Sequence, residues 1–218
     1  MGFFAEIFMK IGAVIPTLYN RGELLDFTYD RMVRQTLPLS YIEIIPSDGQ
    51  EVDITKKYVK GLDKLFDKGC DLVFLIEDDD YYPLDYVERM SEEWLAQRKP
   101  SIMGLSKTIY YHVVANKYHI FDNISHCAAF TTLVSKEAKY FGLCKDNYPY
   151  YDVRLWQNNL GVFTTLDNNP IGIKHGIGKT GGKMHDPSRM RFDDKDLTIF
   201  NKIFDEDART FYKGFLPR

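Results

Sequence analysis

The sequence predicts an α/β protein whose mostly parallel central sheet is flanked by helices. Short apolar runs that suit buried strands alternate with segments whose apolar residues recur at helical spacing. One of these runs, residues 72–76, is followed directly by the four acidic residues 77–80. Ligands of open α/β sheets bind at the carboxyl ends of the strands, so the acidic stretch is the predicted functional centre.

In the first half of the chain, strands are predicted at 10–16, 41–45, 72–76 and 101–106. Between them, one helix is predicted at 23–35, a second has Gly69 as its C-terminal stop, and a third is predicted at 84–98. Crossovers between parallel strands are right-handed and place the loops at one edge of the sheet. We therefore expect residues 17–21, Asp48 and residues 78–80 to converge.

The second half is predicted to be less regular. An aromatic-rich hairpin at 109–120 precedes a strand at 127–134, and residues 135–138 open a short helix. A helix follows Asp152, and short strands are expected at 162–166 and 171–174. A continuous terminal helix is expected from 193 to 213.

Composition limits the range of functions. The 218 residues include 28 basic and 31 acidic side chains, a net charge of −3, which disfavours a nucleic-acid or anionic-membrane partner. No apolar run approaches the roughly 20 residues of a membrane span. The N-terminus lacks the basic region of a signal peptide. We expect one domain, 1–218, that is cytoplasmic and that could be one module of a longer polypeptide.

The acidic stretch has two interpretations. Consecutive carboxylates raise one another's pKa, a cost that a bound cation offsets, and oxygen ligands suit magnesium or manganese. Alternatively, the stretch is a solvated turn before the next helix, since Pro83 fits a first helical position. The apolar strand in front favours the metal site.

Several segments resemble nucleotide-sugar glycosyltransferases of the GT-A fold, and in particular the large inverting family with a DxD motif. Residues 14–21, Val-Ile-Pro-Thr-Leu-Tyr-Asn-Arg, are similar to the opening of that family, and residues 77–83 to its DxD motif. Further resemblances lie at 130–138, 151–155 and 173–176. The resemblance covers roughly residues 10–185 and implies a nucleotide-binding half (10–106) and an acceptor-binding half (107–218). It also fits a viral enzyme module, for example from an algal virus.

The resemblance implies a nucleoside-diphosphate sugar as donor, such as UDP-glucose, and Mn²⁺ or Mg²⁺ as cofactor. Two registers of the motif stay open, Glu77 with Asp79 or Asp78 with Asp80, and Asp48 is equally compatible with a local turn. The metal would be held by Asp79 and Asp80 together with His175 or His185. The implied nucleotide-binding residues are Pro16, Thr17, Tyr19, Arg21, Asp48, Glu77, Asp78, Lys179 and Lys183.

Asp152 is the candidate general base, because a carboxylate there can take the proton of an acceptor hydroxyl as that hydroxyl attacks the sugar. The alternative is that Asp152 is a helix N-cap. The glycine-rich loop 176–185, which carries Lys179 and Lys183, is predicted to be a lid over the diphosphate, with an ordinary surface loop as the alternative.

Three other functions compete with a glycosyltransferase. A sugar-nucleotide nucleotidyltransferase would share the fold class and the metal. It would also need a glycine-rich loop after the first strand, and residues 17–21 contain no glycine. A glycoside hydrolase could use Asp79 and Asp152 but leaves the lysine and glycine loop unexplained. A non-catalytic sugar-binding module would bind without turnover.

Overall fold

The computed structural model describes residues 9–18, 21–47, 54–140, 150–175 and 186–215. Within these residues, ten strands form two sheets, and the helices beside them confirm the predicted α/β class. The strands are β1 (Ile11–Pro16), β2 (Tyr41–Ile45), β3 (Leu72–Leu75), β4 (Ile102–Leu105), β5 (Lys107–His112), β6 (Lys117–Asp122), β7 (Thr132–Ser135), β8 (Gly161–Thr164), β9 (Ile171–Lys174) and β10 (Phe192–Asp193).

The larger sheet has the order β2-β1-β3-β7-β4-β8. Its strand pairs are parallel except for β7, which runs antiparallel to both β3 and β4. The smaller sheet has the order β10-β6-β5-β9, in which β5 and β6 form the predicted hairpin and β9 pairs with β5 in parallel. The acidic stretch leaves the larger sheet at the end of its third strand, β3.

The α-helices among the described residues are α1 (Gly22–Val33), α2 (Ile54–Asp67), α3 (Tyr86–Ala96), α4 (Tyr151–Asn158), α5 (Thr198–Ile203) and α6 (Glu206–Lys213). The first four cover the two faces of the larger sheet. Successive side chains of a strand point to opposite faces of the sheet. In β3, Val73 and Leu75 accordingly join the core with α2 and α4, whereas Leu72 and Phe74 join the core with α1 and α3. No helix among the described residues is both long and apolar enough to cross a membrane.

A third apolar cluster joins the smaller sheet to α5 and α6. Phe200, Phe204 and Tyr212 of the C-terminal segment pack against Tyr111 of β5 and Tyr81, which follows the acidic stretch. The C-terminal segment therefore packs against the residue that directly follows the acidic stretch.

Three predicted elements differ from the structure. The strand predicted at 127–134 is confirmed only from Thr132, where β7 begins, because Ala129–Thr131 form a 3-10 helix in which the hydroxyls of Thr131 and Thr132 donate to the carbonyl of Ala128. Residues 135–138 form no helix, since Ser135 ends β7 and its hydroxyl accepts from the amide of Glu137. The terminal helix is two helices with β10 in front, since Asp205 interrupts it and caps α6 by accepting from the amide of Ala208.

Candidate active site

The acidic stretch forms a turn that is held from two sides. The amide of Ile76 still donates to Val14 of β1 at 3.0 Å, so the chain stays in register with the sheet up to this point. After it, the hydroxyl of Thr28 on α1 lies 3.2 Å from the carbonyl oxygens of both Asp78 and Asp80. The backbone geometry of the turn is therefore fixed by β1 and α1 rather than by solvent.

Three carboxylates of this turn, those of Glu77, Asp79 and Asp80, offer oxygen atoms that lie within 4.8 Å of one another. Asp80 is fully buried; its Oδ1 accepts from the amide of Ile173 at 2.7 Å, and its Oδ2 has no hydrogen-bond partner among the described residues. A buried carboxylate oxygen without a partner is costly unless a cation approaches it. An all-oxygen donor set fits magnesium or manganese, so the residues present suit the metal that the sequence predicts.

Arg21 forms two ion pairs with this turn. Its Nη1 lies 2.7 Å from Oδ1 of Asp78 and 2.5 Å from Oδ2 of Asp79, and all three side chains are almost completely buried. The other oxygen of Asp78 accepts from the amide of Leu18 at 3.3 Å. Asp78 is thus directed toward the loop after β1, apart from the group formed by Glu77, Asp79 and Asp80.

His175, which follows β9, completes the surroundings of Asp79. Its Nε2 lies 2.9 Å from Oδ2 of Asp79, and both side chains are buried. Burial alone would raise the pKa of Asp79, but the hydrogen bond with His175 and the charge of Arg21 outweigh it and lower the pKa to about 2. Asp79 is therefore the carboxylate of the turn that stays ionised most readily.

The other two carboxylates of the group, those of Glu77 and Asp80, have raised pKa values. Burial, together with the charges of Asp79 and Asp152, raises the pKa of Glu77 to about 7, although Lys174 and Arg21 oppose this rise. Burial and the neighbouring charge of Glu77 raise the pKa of Asp80. Such a group takes up a proton near neutral pH or binds a cation in place of the proton.

Asp152 lies in a separate cleft of about 340 Å³. It is the second residue of α4, and Tyr150 rather than Asp152 occupies the N-cap position, so the interpretation of Asp152 as an N-cap is wrong. Burial raises the pKa of Asp152, which moves it toward the range in which a carboxylate is a useful base. The cleft is lined by Thr108, Tyr110, Phe121, Asp122, Asn123, Ile124, Ser125, His126, Ala128 and Asp152.

Two tyrosines connect this cleft to the acidic turn. Tyr151, which precedes Asp152, stacks on Tyr58 of α2 with 5.2 Å between ring centroids. The hydroxyl of Tyr58 lies 3.5 Å from the carbonyl oxygen of Ile76, directly before the acidic turn. Packing between α2 and α4 thus places the two carboxylate sites next to each other.

The structure brings together most of the described residues that the sequence predicts for the site. Pro16 ends β1, and Thr17 follows it with its amide bonded to Ile45 of β2 at 3.0 Å. Thr17, Arg21, residues 77–80 and His175 lie at one edge of the larger sheet. The remaining predicted site residues, Tyr19, Asp48, Lys179, Lys183 and His185, fall outside the described residues.

Sequence reasoning missed Lys57, Lys174 and Tyr110 as residues of this region. The ammonium of Lys57, on α2, donates to the carbonyl oxygen of Thr17 at 2.9 Å. Lys174 is buried beside the acidic turn, and its Nζ lies 4.9 Å from the centroid of the Tyr110 ring in the cleft wall. The available signal for Lys174 was a single lysine at the end of an otherwise apolar strand, directly before His175.

Comparison with known proteins defines the fold. No protein-family model matches the chain, and the search of curated proteins gives no match. Among solved structures, TarS 1-349 from S. aureus aligns with a TM-score of 0.53 at 9% identity, covering 77% of this chain and 61% of that one. The likeness shows that the chain has the GT-A fold.

Other solved structures align less closely. TarS 1-349 in complex with UDP has a TM-score of 0.46 at 10% identity, covering 76% of this chain and 60% of that chain. A197 from STIV has a TM-score of 0.47 at 12% identity, covering 72% of this chain and 83% of that chain. A protein from Desulfovibrio desulfuricans G20, named as a nucleotide-diphospho-sugar transferase, has a TM-score of 0.40 at 13% identity, covering 96% of this chain and 100% of that chain. The chain spans about three fifths of the TarS fragment.

Proposed function

We propose that this protein is a metal-dependent glycosyltransferase that moves a sugar from a nucleoside-diphosphate sugar, of the UDP-hexose class, to an acceptor hydroxyl. The observation that carries the proposal is the pairing of two carboxylate sites on a GT-A fold. One is the oxygen-rich group of Glu77, Asp79 and Asp80 at the end of β3, and the other is Asp152 in its own cleft. Such a pair provides separate places for donor and acceptor.

On the donor side, Asp79 and Asp80 would hold the divalent ion, with His175 or His185 as a further ligand. The bound ion would neutralise the charge that develops on the departing nucleoside diphosphate. Arg21 and Thr17 lie beside the acidic turn and would contact the nucleotide, together with Pro16, Tyr19, Asp48 and Asp78. Glu77 would hold the ribose in the first register of the motif, and Lys179 and Lys183 would bind phosphate.

On the acceptor side, Asp152 would act as the general base. Its carboxylate would accept the proton of the acceptor hydroxyl while the hydroxyl oxygen forms a bond to the anomeric carbon. The bond from that carbon to the diphosphate oxygen breaks at the same time, and attack from the opposite face inverts the anomeric configuration. The raised pKa of Asp152, which burial causes, suits this proton transfer.

The donor site is tested by thermal stability with UDP, with and without Mn²⁺. A ligand that binds only the folded state raises its melting temperature, so UDP together with Mn²⁺ should stabilise the protein more than either ligand alone. Asp79→Ala should abolish the UDP-dependent shift. Asp26→Ala, which removes an exposed carboxylate on α1, is the matched control and should leave the shift unchanged. An equal UDP shift in the presence of chelator would refute the metal assignment.

Product analysis separates the competing functions. With UDP-glucose and Mn²⁺, a glycosyltransferase releases UDP and attaches glucose to an acceptor or to water. A nucleotidyltransferase instead consumes pyrophosphate and forms UTP and glucose 1-phosphate. Binding without any product would identify a sugar-binding module.

A further inference from the structure

Strand β9 runs along the acidic turn and is bonded to it at three points. Ile171 and Tyr81 exchange two backbone hydrogen bonds of 3.0 Å each. Further along β9, the amide of Ile173 donates to Asp80, and His175 contacts Asp79. Lys174 lies between these last two contacts, so its backbone position is fixed relative to the carboxylates.

The side chain of Lys174 projects from the other face of β9, the face that it shares with Gly172. A Cβ atom at Gly172 would lie 2.3 Å from Cδ1 of Tyr110, so the glycine makes room for that ring. Lys174 packs on the ring with its Nζ 4.9 Å from the centroid, and the residue is only 7% exposed. The ammonium is therefore held in one place by the strand and by an aromatic face.

Tyr110 also lines the cleft that contains Asp152. Lys174 thus lies at the border between the acidic turn and this cleft. Its two neighbours in the chain, Ile173 and His175, contact Asp80 and Asp79, so the charge of Lys174 is held next to the carboxylates. A sugar bound between the two sites would have its phosphate linkage at this border.

We propose that Lys174 is a donor-binding residue whose ammonium contacts the diphosphate of the nucleotide sugar. This inference rests on the proposed function, because it assumes a nucleoside-diphosphate donor. The same fixed charge repels a divalent ion that binds the carboxylates before the nucleotide arrives. Once the negative diphosphate is present, it attracts both cations, so Lys174 favours the binding of metal and nucleotide together.

The test compares Lys174→Met with Lys60→Met by titration calorimetry. Lys60 is exposed on α2, so its replacement makes the same change of charge outside the site. In Lys174→Met we expect Mn²⁺ alone to bind about threefold more tightly, since a neighbouring like charge is lost. At saturating Mn²⁺, UDP should bind about tenfold more weakly, since a charge-assisted contact is lost. Lys60→Met should match the wild type in both titrations.

Two further measurements identify the contact as one with phosphate. Uridine lacks phosphate, so its affinity should be the same in Lys174→Met and the wild type. Lys174→Arg keeps the charge and should retain most of the affinity for UDP. It also serves as a second variant if Lys174→Met does not fold.

The proposal is overturned if Lys174→Met binds UDP as tightly as the wild type does. It is also overturned if Lys174→Met lowers the affinity for uridine as much as the affinity for UDP, or if Lys174→Arg binds UDP tenfold more weakly than the wild type. Weaker binding of Mn²⁺ by Lys174→Met would likewise contradict the repulsion. Failure of the wild type to bind UDP at any Mn²⁺ concentration would instead refute the proposed function. The titration with Mn²⁺ alone would still test the charge of Lys174 in that case.

Discussion

The carboxylates of the acidic turn differ in pKa because each of them has different neighbours. Asp79 faces Arg21 and His175, and its pKa falls to about 2. Glu77, two residues away, is near Asp79 and Asp152, and burial and these charges raise its pKa to about 7. The turn therefore combines a carboxylate with a lowered pKa and carboxylates with raised pKa values.

Asp152→Asn tests the general base. The substitution keeps the shape of the side chain but removes its ability to accept a proton, so transfer should fall by roughly 10² or more. Binding of UDP and Mn²⁺ should be unchanged, because Asp152 lies in its own cleft, apart from the group of Glu77, Asp79 and Asp80. Steady-state transfer rates and the UDP-dependent thermal shift measure the two effects. Normal turnover by the variant would show that Asp152 is not the base.

The pH dependence of transfer provides an independent test. A general base must be deprotonated, so the rate of transfer falls as the pH drops through the pKa of Asp152. Burial raises this pKa above 3.8, the ordinary value for aspartate, and we expect the acidic limb of the profile to lie correspondingly higher. The limb should disappear in Asp152→Asn, measured with enzyme saturated in donor and Mn²⁺. Persistence of the same limb in the variant would assign it to another group.

At the scale of elements, α1 and α6 jointly support the acidic turn. The fully buried guanidinium of Arg31 on α1 donates through Nε to the carbonyl of Tyr82 and through Nη1 and Nη2 to Asp205. Asp205 also accepts from the amide of Ala208 and so caps α6. One carboxylate therefore links the start of α6 to Tyr82, which follows the acidic turn.

Asp205→Ala should lower the free energy of unfolding by about 2 kcal/mol, because it removes a helix cap and leaves the buried Arg31 without its carboxylate. Asp207→Ala is the matched control on α6. Asp207 pairs with Arg34 on the surface, where both side chains are about half exposed, so its loss should change stability by less than about 0.5 kcal/mol. Urea denaturation measures both variants, and equal effects would show that Asp205 has no special structural role.

The contribution of Asp205 should also depend on pH. Burial opposes ionisation of this carboxyl, but the hydrogen bond from Ala208 and the interaction with Arg31 outweigh it, and its pKa lies below the ordinary 3.8. A lowered pKa in the folded state stabilises the protein above the pKa of the unfolded state. This stabilisation is lost as the pH falls below about 4 through the lowered folded-state pKa. The difference in stability between wild type and Asp205→Ala should therefore shrink below pH 4, measured by urea denaturation.

For the whole molecule, the close packing of α2 on β1 sets the position of the site. A Cβ atom at Gly61 would lie 2.0 Å from Cγ2 of Val14, so only glycine allows the helix to approach the strand this closely. The same helix presents Tyr58 to α4 and Lys57 to the loop after β1. A shift of α2 would therefore disturb both carboxylate sites.

Gly61→Ala should destabilise the protein by about 1–3 kcal/mol through overpacking. Gly22→Ala is the control, because a Cβ atom there would meet no atom within 4 Å and Gly22 lies at the exposed start of α1. Its effect should be within about 0.5 kcal/mol. Thermal unfolding of the two variants measures the difference, and a Gly61→Ala protein as stable as Gly22→Ala would contradict the tight packing.

Much of the fold could be predicted because strands that are buried on both faces have continuous apolar runs in the sequence. The buried strand β9 has the predicted bounds, and β1 and β3 differ from theirs by one residue. The edge strand β2, which is mostly half-buried, also has the predicted bounds. The predictions failed where local side-chain hydrogen bonds determine the backbone conformation, as at Thr131, Ser135 and Asp205. Such bonds compete with regular structure, and apolar periodicity does not reveal them.

The sequence by itself determined that a run of carboxylates follows the carboxyl end of a buried strand, because the apolar residues 72–76 suit a strand buried on both faces and the acidic residues 77–80 come directly after it. Only the tertiary structure decided how those carboxylates differ. Asp79 meets a histidine 96 residues away, and Asp78 meets an arginine 57 residues away. It also placed Lys174 and Tyr110 at the border of the two sites. Contacts at these separations depend on how helices and sheets pack, and the pKa of each carboxyl depends in turn on the burial and charges that packing creates.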